Sequence, residues 1–308
     1  MIKKTNYNGL IYYTDSYIKT VQDKLLETLF IFDGICKDNN IEYFLDGGTA
    51  IEALRDGKIA AWDDDIDVSM LKPDFNRLRN ILKYERKKYF FTDPSEVNHC
   101  CGYFGIKGKY FLTYGKKRRG LSPIKIDIRP LNIIPNNTEE KKYNRVLREL
   151  ANYLIFKECD SHYKAKAKEL YINIFEGSPN CFFKFYNDEY GLYKDKTNSL
   201  IVHPYLRYSN ENFYYFSDFF PLKRVSFHNK LFSVPNKDSF LRDYYGDYMD
   251  YPDIETRKPE STGLYYSEEY EYYYKRFEEN KSLKQPVFSI ERMQWIMHVL
   301  FELKKVNQ

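Results

Sequence analysis

The stretches Leu45-Asp46-Gly47-Gly48-Thr49 and Trp62-Asp63-Asp64-Asp65-Ile66-Asp67-Val68 decide how this chain is read. Four carboxylates fall within residues 63–67. Like charges at that spacing repel unless something positive sits among them, and a divalent cation with oxygen ligands is the general remedy. The residues that follow, Ile66, Val68 and Met70, are apolar at alternate positions, so the run reads as a buried strand carrying carboxylates to a metal rather than as a solvated acidic loop.

On a strand alternate side chains share a face, which puts Asp65 and Asp67 together about 7 Å apart, with Asp63 joining them if the strand begins that early. Ile66 and Val68 then point into the core, and Asp64 points away from the pair and reads as structural. Two such carboxylates can share Mg²⁺ or Mn²⁺, ions that neutralise a phosphate and stabilise attacking and leaving oxygens. A third carboxylate from another strand would complete the clamp. Asp127, in Ile126-Asp127-Ile128-Arg129, alternates with β-branched residues as that role requires; the alternative is an edge-strand acid paired with Lys125 or Arg129. An EF-hand loop starting at Asp63 is excluded, because its sixth position needs Gly and its twelfth Glu, where this chain has Val68 and Asp74. The Gly47-Gly48-Thr49 turn lies between a strand and a helix that starts at Thr49, a context in which backbone N–H groups and the positive helix end meet a phosphate.

The other bounds are broad. With 308 residues, 43% hydrophobic and 30% charged, the chain can bury a sizeable core. A net charge of +4 gives no case for nucleic acid. Five scattered cysteines without a C-x-x-C pair read as reduced thiols in a cytoplasmic setting. Residues 1–6 lack the apolar run of a signal peptide, and no stretch approaches a membrane span, so a lipid-linked substrate would be met by peripheral contact at the membrane surface. Tyrosine occurs 31 times; A/T-rich codons account for that abundance as readily as do aromatic faces for a cationic or sugar ligand.

Periodicity predicts an amphipathic helix over Tyr17–Asp38 stopped by Asn39-Asn40, a strand at Ile41–Leu45, a short helix at Thr49–Arg55, the acidic strand, and a helix opened by Pro73. Strands are expected near Tyr89–Thr92, Cys101–Ile106, Tyr110–Tyr114 and Ile124–Ile128. Residues 139–176 look helical and 177–215 irregular. A hairpin is expected at Lys223–Val234 turning near His228-Asn229, then a helix at about Lys237–Tyr245, a loop through Pro259 and a last helix at about 289–304. The architecture so read is an α/β (α+β) mixed sheet flanked by helices. It forms a single domain over 1–308, with a core at about 20–260 and a helical elaboration at about 138–215.

The run Gly48-Thr49-Ala50-Ile51-Glu52-Ala53-Leu54-Arg55 followed by Ala61-Trp62-Asp63-Asp64-Asp65-Ile66-Asp67-Val68 resembles the signature of the LicD/fukutin family within the nucleotidyltransferase-fold superfamily. Lys125–Leu131, Phe220–Val225 and Tyr245–Tyr248 follow in the order that family shows. The resemblance implies a transferase that moves a phospho-alcohol such as phosphocholine or ribitol phosphate from a CDP-activated donor. The acceptor would be a hydroxyl of a glycan or lipid-linked glycan, in lipopolysaccharide or teichoic acid synthesis, and CMP would be released. It implies Asp65, Asp67 and Asp127 as metal ligands and catalytic acids, Asp127 doubling as general base. Gly47, Gly48 and Thr49 would line the diphosphate, with Arg55 balancing charge nearby. The chain departs from the family where Ala50-Ile51-Glu52-Ala53 replaces a bulkier aliphatic stretch. It departs again where Lys72 replaces an Arg, a point charge instead of a bidentate fork.

Arg224 and Arg242 are candidate phosphate contacts, with ordinary surface or ion-paired arginines as the equal alternative. Gly115–Gly120 is a basic cluster that reads as a solvated tip or a grip on a polyanion; His99 and His203 lack ligand spacing. Two rival functions remain at this stage: a nucleotidyltransferase that uses an NTP and releases pyrophosphate, and a catalytically inactive binding or scaffold protein that kept the fold.

Overall fold

The computed structural model describes residues 4–7, 10–13, 16–97, 99–114, 120–156, 161–202 and 213–283. The expected helix at 289–304 and most of the basic cluster at 115–120 lie outside them. The first long helix, Ser16–Asp38, buries Ile18, Val21, Leu25, Leu29, Phe32 and Cys36, the face that periodicity predicted. It ends in a Schellman motif: Asn40 takes a left-handed φ of 51°, and the Ile41 amide returns to the Cys36 carbonyl at 2.8 Å.

A seven-stranded mixed sheet positions everything that follows. Phe44–Leu45 runs antiparallel to Asp67–Leu71. Asp67–Leu71 in turn runs parallel to the long strand Ile126–Pro135, in the register Asp67↔Asp127, Val68↔Ile128, Ser69↔Arg129. The other side of Ile126–Pro135 pairs first with Gly102–Ile106 and further on with Ser199–Val202. Tyr89–Thr92 pairs outside Gly102–Ile106 and Tyr214–Tyr215 outside Ser199–Val202, while Phe44–Leu45 is the edge on the opposite side. Asp127 is thus on an interior strand, not an edge. Ile66, Val68, Met70, Ile126 and Ile128 are fully buried in one apolar core with the Ser16–Asp38 helix and Phe75, Leu78 and Leu82 of the Lys72–Leu82 helix. The predicted hairpin forms at Lys223–Phe227 and Lys230–Val234; His228 and Asn229 carry positive φ of 48° and 61°, the twist that a two-residue hairpin loop favours.

Three expectations change. The acidic strand begins only at Asp67, so Asp63–Ile66 is an irregular connection, in which the Asp64 carboxylate binds the Glu260 and Ser261 amides. The helix after the glycines starts at Gly47, not Thr49, because Asp46 caps it. The described part of residues 177–215 is not irregular throughout: it holds a helix at Pro179–Lys184, a π-turn at Phe185–Glu189 and the strand Ser199–Val202. The extra residue of a π-turn breaks the 3.6-residue period that sequence reading relies on. Phe182 and Phe183 of the Pro179–Lys184 helix and Tyr186 of the π-turn are buried in a second apolar cluster with helices Thr138–Phe156 and Ser161–Asn173.

Candidate active site

The parallel register does for the acids what strand alternation was expected to do. Direct pairing of Asp67 with Asp127 sets the two residues side by side, about 4.8 Å apart across the ladder. Asp65 reaches them from the connection in front of the strand, and the carboxyls of Asp65, Asp67 and Asp127 act electrostatically on one another. The three predicted acids are therefore brought together, although Asp65 arrives by a loop.

The glycine turn closes over this group. Asp46 is almost fully buried; its Oδ1 accepts from the Gly47 amide at 2.8 Å and its Oδ2 from the Ser69 hydroxyl. The Asp46 amide donates to the Asp67 carbonyl at 3.0 Å, and Thr49 Oγ1 accepts from the Asp67 amide at 2.9 Å. Gly47 has φ +54°, and a Cβ there would stand 2.8 Å from Asp67 Oδ2, 2.9 Å from Arg129 Nη1 and 3.3 Å from the Tyr245 hydroxyl. Both the backbone conformation and the space demand glycine. A Cβ at Gly48 would lie 3.6 Å from Asp63 Oδ2. Gly47, Gly48 and Thr49 are thus at the acids, as expected.

Charge is unbalanced here. Arg129 Nη2 pairs with Asp67 Oδ2 at 2.7 Å and its Nη1 with Asp46 Oδ2 at 3.5 Å. Lys125 pairs closely with Asp127 and rests 3.8 Å from the centre of the Tyr103 ring. Against these two cations stand Asp46, Asp63, Asp65, Asp67, Asp127 and Glu52. Glu52 is buried, accepts from the Ala60 amide at 2.8 Å, and is pushed up to about 8, chiefly by burial. Burial and then Glu52 push Asp63 well above the usual carboxylate range. Asp65 is exposed to solvent, yet the protein packed around its carboxyl, and then Asp63, raise it as well. Asp67 is raised by burial, with Arg129 opposing and Asp65, Asp127 and Asp46 reinforcing. Its Oδ1 is buried with no hydrogen-bond partner.

A hard divalent cation fits the donor chemistry: carboxylate oxygens only, one of them buried and unspent. Among the described residues, no three His, Cys, Asp or Glu side chains form a ready-made metal-ligand set. Lys125 and Arg129 occupy oxygens of Asp127 and Asp67 that a shared ion would use.

Other predicted residues are placed elsewhere. Arg55 ends the Gly47–Arg55 helix, about 12 Å along its axis from Gly47. It pairs with Asp56 at 2.9 Å and donates to the Tyr248 and Asp250 carbonyls. Arg224 lies exposed on the hairpin, donating to Ser233 Oγ at 2.9 Å and to the Leu231 carbonyl across the turn. Neither is paired with Asp65, Asp67 or Asp127, although the Arg55 charge acts on Glu52. Lys72 is turned inward to the carbonyls of Tyr186 and Tyr190 and is no phosphate ligand. Asp64 is structural as read: it accepts from the amides of Glu260 and Ser261 at 3.0 and 2.8 Å and from the Ser261 hydroxyl.

Sequence reading missed Asp46 and Arg129 as members of the site. Their signals were present, an N-cap residue before the glycines and a cation two residues beyond Asp127 on the same strand face. Tyr245 was also missed. Its ring is half-exposed while its hydroxyl reaches the Gly47 turn.

The span that carries this geometry is similar to known proteins. Residues 40–162 match the model of the LicD/FKTN/FKRP nucleotidyltransferase domain, a span that holds the glycine turn and Asp65, Asp67 and Asp127. The chain is 27% identical over 250 residues to the lipopolysaccharide cholinephosphotransferase LicD of Haemophilus influenzae, covering 76% of this chain and 92% of that one. The glycine turn, the acidic connection and the Asp67–Asp127 pairing all lie inside the matched span, over which the chain is similar to the LicD family.

Proposed function

We propose that the protein is a phosphotransferase that moves a phospho-alcohol of the phosphocholine type from a CDP-linked donor to a hydroxyl of a glycan or lipid-linked glycan. The observation that carries this reading is the Asp67–Asp127 pairing, which sets two carboxylates side by side with Asp65 beneath a glycine turn at a helix N-terminus. That is a frame for a phosphate group. The similarity to a lipopolysaccharide cholinephosphotransferase supports phosphocholine as the group transferred.

In this reading Asp65, Asp67 and Asp127 would hold Mg²⁺ or Mn²⁺, which when bound neutralises phosphate charge. The residues of the chain orient the rest. The glycine turn and the helix end would face the diphosphate, the Gly47 amide being held by Asp46, and Arg129 fixes Asp67 while adding positive charge. The acceptor oxygen bonds to the phosphorus that carries the alcohol, the bond from that phosphorus to the bridging oxygen breaks, and CMP leaves. The hydroxyl proton passes to Asp127, a carboxylate that solvent reaches. Positioning and electrostatics supply most of the rate in such transfers. Among the described residues no helix is long and apolar enough to cross a membrane; a lipid-linked acceptor would be engaged at the membrane surface.

The test is to incubate the protein and divalent metal with CDP-choline, CDP-ribitol and the NTPs, each with a glycan acceptor, and to identify the released nucleotide. CMP supports the proposal. Pyrophosphate from an NTP replaces it with nucleotidyl transfer. No turnover, together with no calorimetric binding of Mg²⁺ or Mn²⁺, leaves a binding protein that kept the fold.

A further inference from the structure

Residues 248–261 form a strap that lies back over the acidic connection. Asp64 pins one end through the Glu260 and Ser261 amides, and Arg55 holds the other through the Tyr248 and Asp250 carbonyls at 3.2 and 3.4 Å. The strap carries Arg257 in behind Trp62, the residue that precedes the acids. The Arg257 guanidinium carbon sits 5.5 Å from the Trp62 ring centre and 5.3 Å from that of Tyr251, and the residue is only 6% exposed. Its Nε donates to the Pro252 carbonyl at 2.8 Å. Its Nη1 is buried with no hydrogen-bond partner.

The neighbouring charges do not answer this cation. Arg55 stacks on the same Tyr251 ring at 4.1 Å. Asp56 is committed, one oxygen to Arg55 and the other to the Tyr251 hydroxyl at 2.5 Å. Among the described residues Arg257 enters no ion pair. A buried guanidinium without a counter-charge is costly. Ring contacts offset some of that but leave the Nη1 N–H groups unmet, and guanidinium N–H groups match the oxygens of a phosphate or a carboxylate; a phosphate is the anion that the adjoining glycine turn also suits.

We propose that Arg257, walled by Trp62 and Tyr251, is an anion subsite that takes a phosphate group. Assigning that phosphate to the donor's diphosphate rests on the phosphotransferase reading above; the subsite itself does not. Inorganic pyrophosphate is the probe, titrated into the full chain in EDTA so that the carboxylates repel the anion instead of sharing a metal with it. Calorimetry and tryptophan emission report binding, and Trp62→Phe separates the Trp62 signal from that of Trp295.

The expected result is saturable binding that perturbs Trp62 emission and weakens with salt. Arg257→Met should lower affinity at least about tenfold and Arg257→Lys by less, with the Arg257→Met protein melting no lower than wild type in phosphate-free buffer. The proposal is overturned if wild type does not bind pyrophosphate or if Arg257→Met binds it equally well. It is also overturned if Arg257→Met melts lower while its folded fraction binds normally, the mark of a stacking residue only. Should Arg257→Met not fold, Arg257→Lys decides: unchanged affinity sinks the subsite. Turnover of CDP-choline, measured in parallel, separates the two ideas. Arg257-dependent pyrophosphate binding without turnover removes the phosphotransferase reading and leaves the subsite, and turnover without Arg257-dependent pyrophosphate binding leaves that reading and removes the subsite.

Discussion

Asp67 and Lys72 flank the strand Asp67–Leu71, both are buried, and their charges are used in opposite ways. Lys72 donates to the Tyr190 carbonyl at 2.7 Å and closely to that of Tyr186, with its ammonium 5.1 and 6.0 Å from the centres of the Tyr186 and Tyr190 rings. It fastens the π-turn of the second apolar cluster to the sheet, and burial lowers it to about 7. Asp67 gives one oxygen to Arg129 and leaves the other buried and unmet beside Asp127. A buried charge whose bonds end on the backbone holds the structure. One with bonding capacity left over, crowded by like charges, marks where a ligand belongs.

Substitution should separate these two roles. Asp67→Asn keeps the shape and removes a charge from a crowded group. CMP release is expected to fall at least about a thousandfold, with little change in melting temperature. A variant that turned over normally with added metal would show that the unmet oxygen has no part in the chemistry. Lys72→Met should behave the other way. Two stranded carbonyls are expected to destabilise the fold by about 2 kcal/mol, read from denaturant melts, while turnover by the folded protein stays within about twofold. Loss of activity without loss of stability would move Lys72 into the site.

The contrast also explains what was legible beforehand. Amphipathic periodicity marked the Ser16–Asp38 helix residue by residue, because its buried positions follow a regular repeat. Alternation did the same for Ile126 and Ile128. The acids were legible as a type of chemistry but not as a geometry. Asp65 and Asp67 were grouped by an alternation that does not exist at Asp65, and the grouping survives because a parallel partner strand puts Asp127 beside Asp67. Register between strands far apart in sequence leaves no local trace. The π-turn hid residues 185–189 by breaking the helical repeat. Lys72 read only as a point charge in an arginine's place, since nothing near it in sequence announces the Tyr186 and Tyr190 carbonyls more than a hundred residues away.

Acidity gives a smaller effect with opposite signs in the two regions. Glu52 rises from 4.5 to about 8 on folding, so between those values the folded chain holds the extra proton and stability falls as pH rises. Lys72 falls from 10.5 to about 7, so the unfolded chain holds more protons over that range and stability rises with pH. Metal-free protein followed by thermal melts should lose stability from pH 5 to 8 through the carboxyl group. Glu52→Gln, which keeps an acceptor for the Ala60 amide, is expected to reduce that loss by more than about 1 kcal/mol, the free energy of a roughly tenfold change in proton affinity. An unchanged slope would mean that Glu52 is ionised in the fold, with the burial of its neighbours carrying the effect alone.

The smallest expected effect falls on Arg224, because its bonds are already spent at the surface. It is exposed and bridges its own hairpin, to Ser233 Oγ and the Leu231 carbonyl. Water replaces both bonds at little loss when the side chain is removed. Arg224→Ala is therefore expected to change stability by less than about 0.5 kcal/mol and donor KM by less than about twofold. Arg129 differs in kind: it is held between Asp67 and Asp46, where a lost cation leaves carboxylates facing one another. A tenfold rise in KM for Arg224→Ala, with kcat preserved, would show that the hairpin folds toward bound donor and that an exposed arginine had more capacity to give than its present bonds suggest.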